Sequence, residues 1–89
     1  MNEQAYNDLQ LEQKIAAIII SELRLEEVTP ESFDPGLNLV DELGIDSMDL
    51  TTVVLLLQEE FGVAIEEEDY PQLKNVHAIA AYVRQRLAA

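Results

Sequence analysis

The residue best suited to chemistry in this sequence is Ser47, which lies within the segment Gly44–Asp49. A serine hydroxyl becomes a catalytic nucleophile when a histidine lies within hydrogen-bond reach. The single histidine, His77, falls at the start of the last predicted helix, and the segment does not match the Gly-x-Ser-x-Gly pattern of hydrolases. We expect His77 to be solvated or half-packed, with a pH-sensitive contact to nearby acids as the alternative. Because cysteine is also absent, the sequence predicts that the chain is not an enzyme.

Acidic side chains gather in two clusters, and clustered carboxylates are the usual ligands of divalent cations. Neither cluster has the alternating Asp-x-Asp-x-Asp-Gly spacing of an EF-hand loop, so no dedicated metal site is predicted. Loose binding of Mg²⁺ or Ca²⁺ is still expected, because cations relieve the self-repulsion of an acidic chain. The clusters are Asp41, Glu42, Asp46 and Asp49 in the first, and Glu66, Glu67, Glu68 and Asp69 in the second.

Length and charge limit the functions that this chain can have. The 89 residues include 18 acidic and 5 basic residues, for a formal net charge of −13, and 48% are hydrophobic. These values predict one small domain over residues 1–89, with residues 1–8 frayed. The negative charge disfavours nucleic acid and anionic membranes and favours basic partner surfaces. The N-terminal residues lack the features of a signal peptide or a membrane span, so we expect a cytoplasmic monomer.

The spacing of apolar residues predicts an all-α domain. Helical spacing indicates a first helix from about residue 4 to 24, followed by a long structured loop with several apolar residues. Asp46 is a favourable N-cap for a second long helix that ends near Glu60. A single short turn follows at residues 66–69, limited by a nearby proline, and Asn75 caps the last helix. We therefore predict a four-helix bundle of three longer helices and one short helix.

The second long helix is apolar on two opposite faces. One face is a continuous stripe at helical spacing and is predicted to point into the core. The opposite face is also largely apolar, and a domain this small cannot readily cover a helix on every side. We favour a partner-binding surface there, with burial under the long loop as the alternative. The core stripe comprises Leu50, Val53, Val54, Leu57 and Phe61, and the opposite face comprises Met48, Thr52, Leu55 and Glu59, with Leu56 beside them.

The segment Leu43–Leu50 resembles the attachment motif of acyl carrier proteins. These are small acidic helical bundles in which a serine after Gly-x-Asp carries 4′-phosphopantetheine. The likeness extends from about Leu9 to Leu87, with Asp-Ser at the head of the second long helix, Glu-Glu-Phe near its end and Tyr82 in the last helix. Length, charge and helix order also agree with that family over this range.

The resemblance implies that Ser47 carries the phosphopantetheine arm, with Asp46 and Asp49 beside it, and that a phosphopantetheinyl transferase installs the arm. The arm's thiol would carry an acyl group as a thioester and supply the reactive group that the chain lacks. A helix N-terminus suits this role, because its positive end tolerates the charge of the phosphodiester. The alternative is that Ser47 is an ordinary first-turn residue after an aspartate cap.

The resemblance also implies partners and a binding pocket. Acyl-transferring or chain-elongating enzymes would present basic patches to the second long helix and an apolar dimple to Met48. The acyl chain would fold back between the helices, into a pocket whose residues also qualify as ordinary packed core. That pocket comprises Leu50, Val53, Val54, Leu57, Phe61, Ile65, Leu73, Ile79 and Tyr82.

Several residues depart from the pattern of that family. Thr51, Thr52 and Gln58 stand where glutamates are common in fatty-acid synthase carriers, and Met48 replaces the usual leucine. These departures favour a specialised carrier in a fatty-acid, lipid or polyketide pathway, with primary fatty-acid synthesis as the alternative. The lack of Gly-Gly before the serine disfavours a peptidyl carrier. The alternative function is a cofactor-free acidic interaction module that docks partners through the second long helix.

Overall fold

The computed structural model describes residues 6–88, in which all regular structure is helical. This confirms the predicted all-α class, with one short helix more than expected. Helix α1 packs against both α3 and α4. Every helix in the described part of the chain is too short or too polar to span a bilayer. The elements are α1 (Asp8–Leu23), α2 (Leu39–Leu43), α3 (Ser47–Phe61), a 3₁₀ helix (Glu67–Gln72) and α4 (Val76–Ala88).

Helix α1 begins at Asp8 rather than near residue 4, because Asn7 caps it. Asn7 Oδ1 accepts a hydrogen bond from the backbone nitrogen of Gln10 at 2.7 Å. In return, Gln10 Oε1 accepts one from the backbone nitrogen of Asn7 at 3.0 Å. This capping box satisfies two backbone donors that a helix start leaves free. The first residues of the predicted helix, 4 and 5, lie outside the described residues.

Tyr6 is also held in place, although fraying is predicted for residues 1–8. Its ring packs edge-on against Phe61 with a centroid distance of 5.5 Å. Its carbonyl oxygen accepts a hydrogen bond from Arg84 Nη2 at 2.7 Å. Contacts with α3 and α4 thus place Tyr6 against the bundle, while the fraying of residues 1–8 stays a prediction.

The loop between α1 and α3 is pinned to α4 by backbone hydrogen bonds. The backbone nitrogen of Leu39 donates to the carbonyl of Lys74 at 2.8 Å, and that of His77 donates to the carbonyl of Pro35 at 2.9 Å. Within the loop, α2 ends at Gly44, whose φ of +68° is the left-handed conformation that glycine adopts at low cost. The loop also buries apolar side chains in the core, at Phe33, Leu39 and Ile45.

Helix α3 matches its predicted bounds to within a residue. Asp46 is the N-cap, and its Oδ1 accepts a hydrogen bond from the backbone nitrogen of Asp49 at 2.8 Å. Gly62 closes the helix in the left-handed conformation, with φ of +66°. The predicted cap of α4 is confirmed too, because Asn75 Oδ1 accepts from the backbone nitrogen of Ala78 at 2.7 Å.

The short element after α3 is longer than predicted and continues through Pro71. Its backbone bonds run from the nitrogen of Asp69 to the carbonyl of Glu66 and from the nitrogen of Leu73 to the carbonyl of Tyr70, both at 2.9 Å. These bonds do not use the nitrogen of Pro71, which has no hydrogen to donate. The 3₁₀ helix therefore tolerates the proline that was expected to shorten it.

One core cluster fills the bundle. Four residues of the predicted α3 stripe are buried in it, whereas Leu50 is only half-buried. Leu50 lies in the first turn of α3, at the edge of the bundle, which leaves one side of it open. The buried residues of the other long helices are Leu11, Ile15, Ala16 and Ile19 in α1, and Val76, Ile79, Ala80, Tyr82 and Val83 in α4.

Candidate functional site

Ser47 is the first residue of α3 and is exposed to solvent. Its carbonyl oxygen accepts a hydrogen bond from Thr51 Oγ1 at 2.8 Å, while its own Oγ has no hydrogen-bond partner within residues 6–88. The Asp46 carboxylate caps the helix, and Asp49, in the first turn of α3, is half-buried. The hydroxyl is therefore free and accessible at the positive end of a 15-residue helix.

His77 does not serve Ser47 as a base. Its Nδ1 lies 2.8 Å from Glu12 Oε2, so the imidazole bridges α4 to α1 at the protein surface. His77 is exposed at the start of α4, as expected for a solvated helix-start residue, and it also has the contact with a nearby acid that the alternative interpretation named. The residues that line the groove beside Ser47 do not include His77. The described residues thus contain no nucleophile and histidine pair.

The outward face of α3 is open to solvent. Met48 is 78% exposed and Leu55 is 54% exposed, so the predicted alternative, burial under the long loop, is wrong. The loop instead buries Phe33, Leu39 and Ile45 in the core. Thr52 and Leu56 are half-buried, and Glu59 is exposed. Thr52 Oγ1 donates to the carbonyl oxygen of Met48 at 3.1 Å, which keeps that hydroxyl occupied within the helix.

A groove of about 580 Å³ separates this face from α1. Leu56 and Glu59 line it from α3, and Ile18 and Ser21 line it from α1. Lys14 crosses one end of the groove, where its Nζ lies 2.8 Å from Glu60 Oε2. That hydrogen bond, with the charge of Glu60, raises the pKa of Lys14. No sequence pattern predicted this groove, because its walls come from helices far apart in the chain.

A second groove, of about 510 Å³, lies beside Ser47. Leu50 and Leu73 are the members of the predicted acyl pocket that line it. Leu73 and the remaining seven are at most 8% exposed and belong to the packed core, whereas Leu50 is half-buried. The structure thus brings two predicted pocket residues to the site and keeps the others inside. The groove is lined by Asn38, Val40, Asp41, Ser47, Leu50, Tyr70, Pro71, Leu73 and Lys74.

Sequence reasoning missed Lys74, Tyr70 and Asn38 as neighbours of Ser47. They come from the 3₁₀ helix, from the segment after it and from the cap of α2. No spacing signal relates them to Ser47, because only the packing of the loop against α4 brings them together.

A polar network holds the 3₁₀ helix against α4. Tyr82 Oη donates to Asp69 Oδ2 at 2.6 Å, and Arg86 Nη2 donates to the same phenolic oxygen at 2.6 Å. Arg86 Nη2 also lies 3.2 Å from Asp69 Oδ2. The hydrogen bond to Tyr82, helped by the nearby negative charges, raises the pKa of Arg86. Tyr82, predicted as an acyl-pocket residue, therefore has its polar end committed to this network.

The geometry at Ser47 fits an attached phosphopantetheine group. The hydroxyl that would form the bond is free, it faces solvent and an open groove begins beside it. Backbone N–H groups at the start of α3 lack helical acceptors and favour a negative phosphodiester there. For metal ions, no group of three or more candidate ligands converges within residues 6–88.

Comparison with known proteins agrees with this geometry. The family model described as "Phosphopantetheine attachment site" matches residues 13–83. The acyl carrier protein of Nitratidesulfovibrio vulgaris strain Miyazaki F is 35% identical over 80 residues, which cover 88% of this chain and 99% of the relative. The acyl carrier protein of Chlamydia trachomatis serovar D is 33% identical over 78 residues, covering 88% of this chain and 97% of the relative.

Solved structures agree as well. A candidate acyl carrier protein from Mycobacterium tuberculosis superposes with a TM-score of 0.73 at 31% identity, covering 84% of this chain and 96% of that one. The solution structure of a candidate acyl carrier protein from Anaplasma phagocytophilum has a TM-score of 0.77 and covers 91% of this chain and 92% of that one. At 22% identity, that second likeness supports the fold alone.

Fold and site together define a helical domain that bears a phosphopantetheine attachment site. The chain belongs to the acyl carrier protein family. Proteins of this family are carriers rather than catalysts, and their cofactor is 4′-phosphopantetheine. They interact with a phosphopantetheinyl transferase and with acyl-handling enzymes.

Proposed function

We propose that Ser47 carries the phosphopantetheine arm and that the chain presents acyl groups, held on it as thioesters, to enzymes of a fatty-acid, lipid or polyketide pathway. The observation that carries this proposal is the free, exposed Ser47 hydroxyl at the capped start of α3. Ser47 also lies inside the segment matched by the family model. The arm supplies the thiol, and the protein supplies the surface that partner enzymes recognise when the arm is presented to them.

The residues around Ser47 prepare it for modification. Asp46 accepts from the backbone of Asp49 and so fixes the first turn that presents the hydroxyl. Because the Asp46 carboxylate is engaged and no histidine is near, the proton of Ser47 must pass to a base on the transferase. Asp49 adds negative charge beside the serine, where a basic transferase surface would bind.

We propose that the outward face of α3 binds the partner enzymes. Met48 and Leu55 offer apolar side chains to solvent, and Glu59 offers a carboxylate for arginine or lysine. Thr52 and Leu56 lie between them, half-buried. Charge steers the encounter and the apolar contacts define the register, so a small interface can be specific and still release quickly.

The predicted acyl pocket is closed in this conformation. Eight of its nine residues are packed in the core, so an acyl tail can enter the interior only if the helices move apart. Leu50 and Leu73 contact both the core and the groove beside Ser47. We propose that an acyl tail first contacts these two residues.

Thr51, Thr52 and Gln58 reduce the acidity of α3 in its middle, and on this basis we propose a dedicated partner set rather than general fatty-acid synthesis. We further propose that the chain acts as a cytoplasmic monomer. A single carrier with one attachment serine and one exposed docking face can then serve each partner in turn.

Loading by a transferase tests the proposal. Incubation with coenzyme A and a phosphopantetheinyl transferase should add one phosphopantetheine group to the intact mass, and Ser47→Ala should abolish the addition. Ser21→Ala is the matched control, because Ser21 is an exposed serine on α1 and should not affect loading. If the wild-type chain stays unmodified while a known carrier is loaded in the same reaction, the proposal is wrong. The alternative, a cofactor-free interaction module that docks partners through α3, would then be favoured.

A further inference from the structure

Lys74 lies on the wall of the groove that begins at Ser47. We propose that the Lys74 ammonium binds the phosphodiester of the arm on Ser47, so that the first part of the arm rests in this groove. The inference depends on the attachment to Ser47 proposed above, and it adds a binding residue that the attachment itself does not require.

Backbone hydrogen bonds hold Lys74 close to the serine. The Lys74 carbonyl accepts from the backbone nitrogen of Leu39 at 2.8 Å, and the Leu39 carbonyl accepts from the backbone nitrogen of Ile45 at 3.2 Å. Ile45 is buried and stands two residues before Ser47. Two successive backbone bonds therefore connect Lys74 to the segment that carries the serine, and both side chains border one groove.

The local charge makes this lysine significant. Asp41 lines the same groove, and Asp46 and Asp49 flank the serine, so a phosphodiester on Ser47 would join a region of negative charge. Among the residues that line the groove, Lys74 is the single cation. It forms no ion pair within residues 6–88, whereas Lys14, Arg84 and Arg86 each have a carboxylate partner. Its charge is thus available to compensate a phosphodiester.

The rest of the groove suits the part of the arm that follows the phosphate. Val40, Leu50, Tyr70 and Pro71 line it with apolar surface. The pantoyl unit next to the phosphate carries two methyl groups, which gain by leaving water for such a surface. One charged contact at Lys74 and one apolar contact further along would together give the arm a preferred position.

Nuclear Overhauser effects (NOEs) in the loaded full-length protein test this inference. In wild type we expect NOEs from the pantoyl methyl protons to the Leu50 methyl groups and the Tyr70 ring. In loaded Lys74→Gln these intensities should fall about two- to fivefold, as expected for loss of one exposed ion pair. They should also weaken in wild type when salt is added, because salt screens exposed charges.

Lys14→Gln is the matched control, because it changes the net charge equally. Lys14 belongs to α1 and pairs with Glu60, at the end of α3 that is opposite to Ser47. It should leave the NOEs unchanged. Intact mass is measured on every sample, so failed loading counts against the Ser47 proposal and not against Lys74. Given full loading, absent NOEs in wild type or equal NOEs in Lys74→Gln would overturn the inference. So would NOEs that arise only between labelled and unlabelled molecules, since the groove would then hold the arm of a second copy.

Discussion

The phenolic oxygen of Tyr82 lies 2.6 Å from Asp69 Oδ2, and this hydrogen bond joins α4 to the 3₁₀ helix. No residue of the 3₁₀ helix is itself buried in the core. Its position therefore depends on polar contacts as well as on the packing of Tyr70 against the core. Because Tyr70 and Pro71 of this helix line the groove beside Ser47, the Tyr82–Asp69 bond also defines one wall of the site.

Tyr82→Phe should lower the free energy of unfolding by about 1.5 kcal/mol, since a hydrogen bond to a charged group is lost in a part-buried setting. Chemical denaturation measures the change. Tyr70→Phe is the control, because the Tyr70 hydroxyl forms no hydrogen bond within residues 6–88. Equal stability of Tyr82→Phe and wild type would mean that the network does not hold the 3₁₀ helix.

Met48→Glu and Leu55→Glu should each lower kcat/KM of partner enzymes for the loaded carrier while leaving the helical content unchanged. Both side chains are exposed, so a charge there costs little in folding but opposes an apolar contact with a partner. Leu9→Glu is the matched control, because Leu9 is 63% exposed on α1, outside the proposed docking face. Loss of helicity in either α3 variant, or an equal effect of Leu9→Glu, would argue against a docking face on α3.

Arg24→Gly should stabilise the protein by about 1 kcal/mol. Arg24 ends α1 with φ of +56° and ψ of +46°, a left-handed conformation that glycine adopts without the steric cost of a Cβ atom. Thermal or chemical unfolding measures the gain. Arg24→Ala removes the same charge but keeps the Cβ atom, so it should not reproduce the gain. If Arg24→Ala raised the free energy of unfolding as much as Arg24→Gly does, the gain would come from the loss of charge instead.

The Lys14–Glu60 pair should make stability decline at alkaline pH. The pair raises the pKa of Lys14 above its ordinary value of 10.5, so its contribution is complete below that pH and disappears as pH rises through the raised value. The pair is partly exposed, and its contribution should be about 0.5 kcal/mol. Unfolding of wild type, Lys14→Met, Glu60→Gln and the double variant across this range isolates the pair. A coupling energy that persists above the raised pKa would contradict this assignment.

Local signals in the sequence predicted much of the backbone. Asp46 and Asn75 act as the predicted caps because a cap bonds to backbone only two or three residues away. The same short-range logic located Ser47 at the head of α3. It gave no indication of the distant contacts of Tyr6 with α3 and α4, and it was wrong at Pro71, which the 3₁₀ helix accommodates.

The sequence by itself determined the helical class, the excess of negative charge and the ends of α3, because each follows from residue type and short-range spacing. The candidate attachment serine followed from the resemblance of its segment to acyl carrier proteins. Tertiary structure decided that the long loop leaves Met48 and Leu55 exposed, that Leu50 stays half-buried, and that Lys74 shares a groove with Ser47. These outcomes depend on how the loop and α4 pack against α3. Such contacts join residues more than twenty positions apart, and no local pattern encodes which of several apolar surfaces will meet.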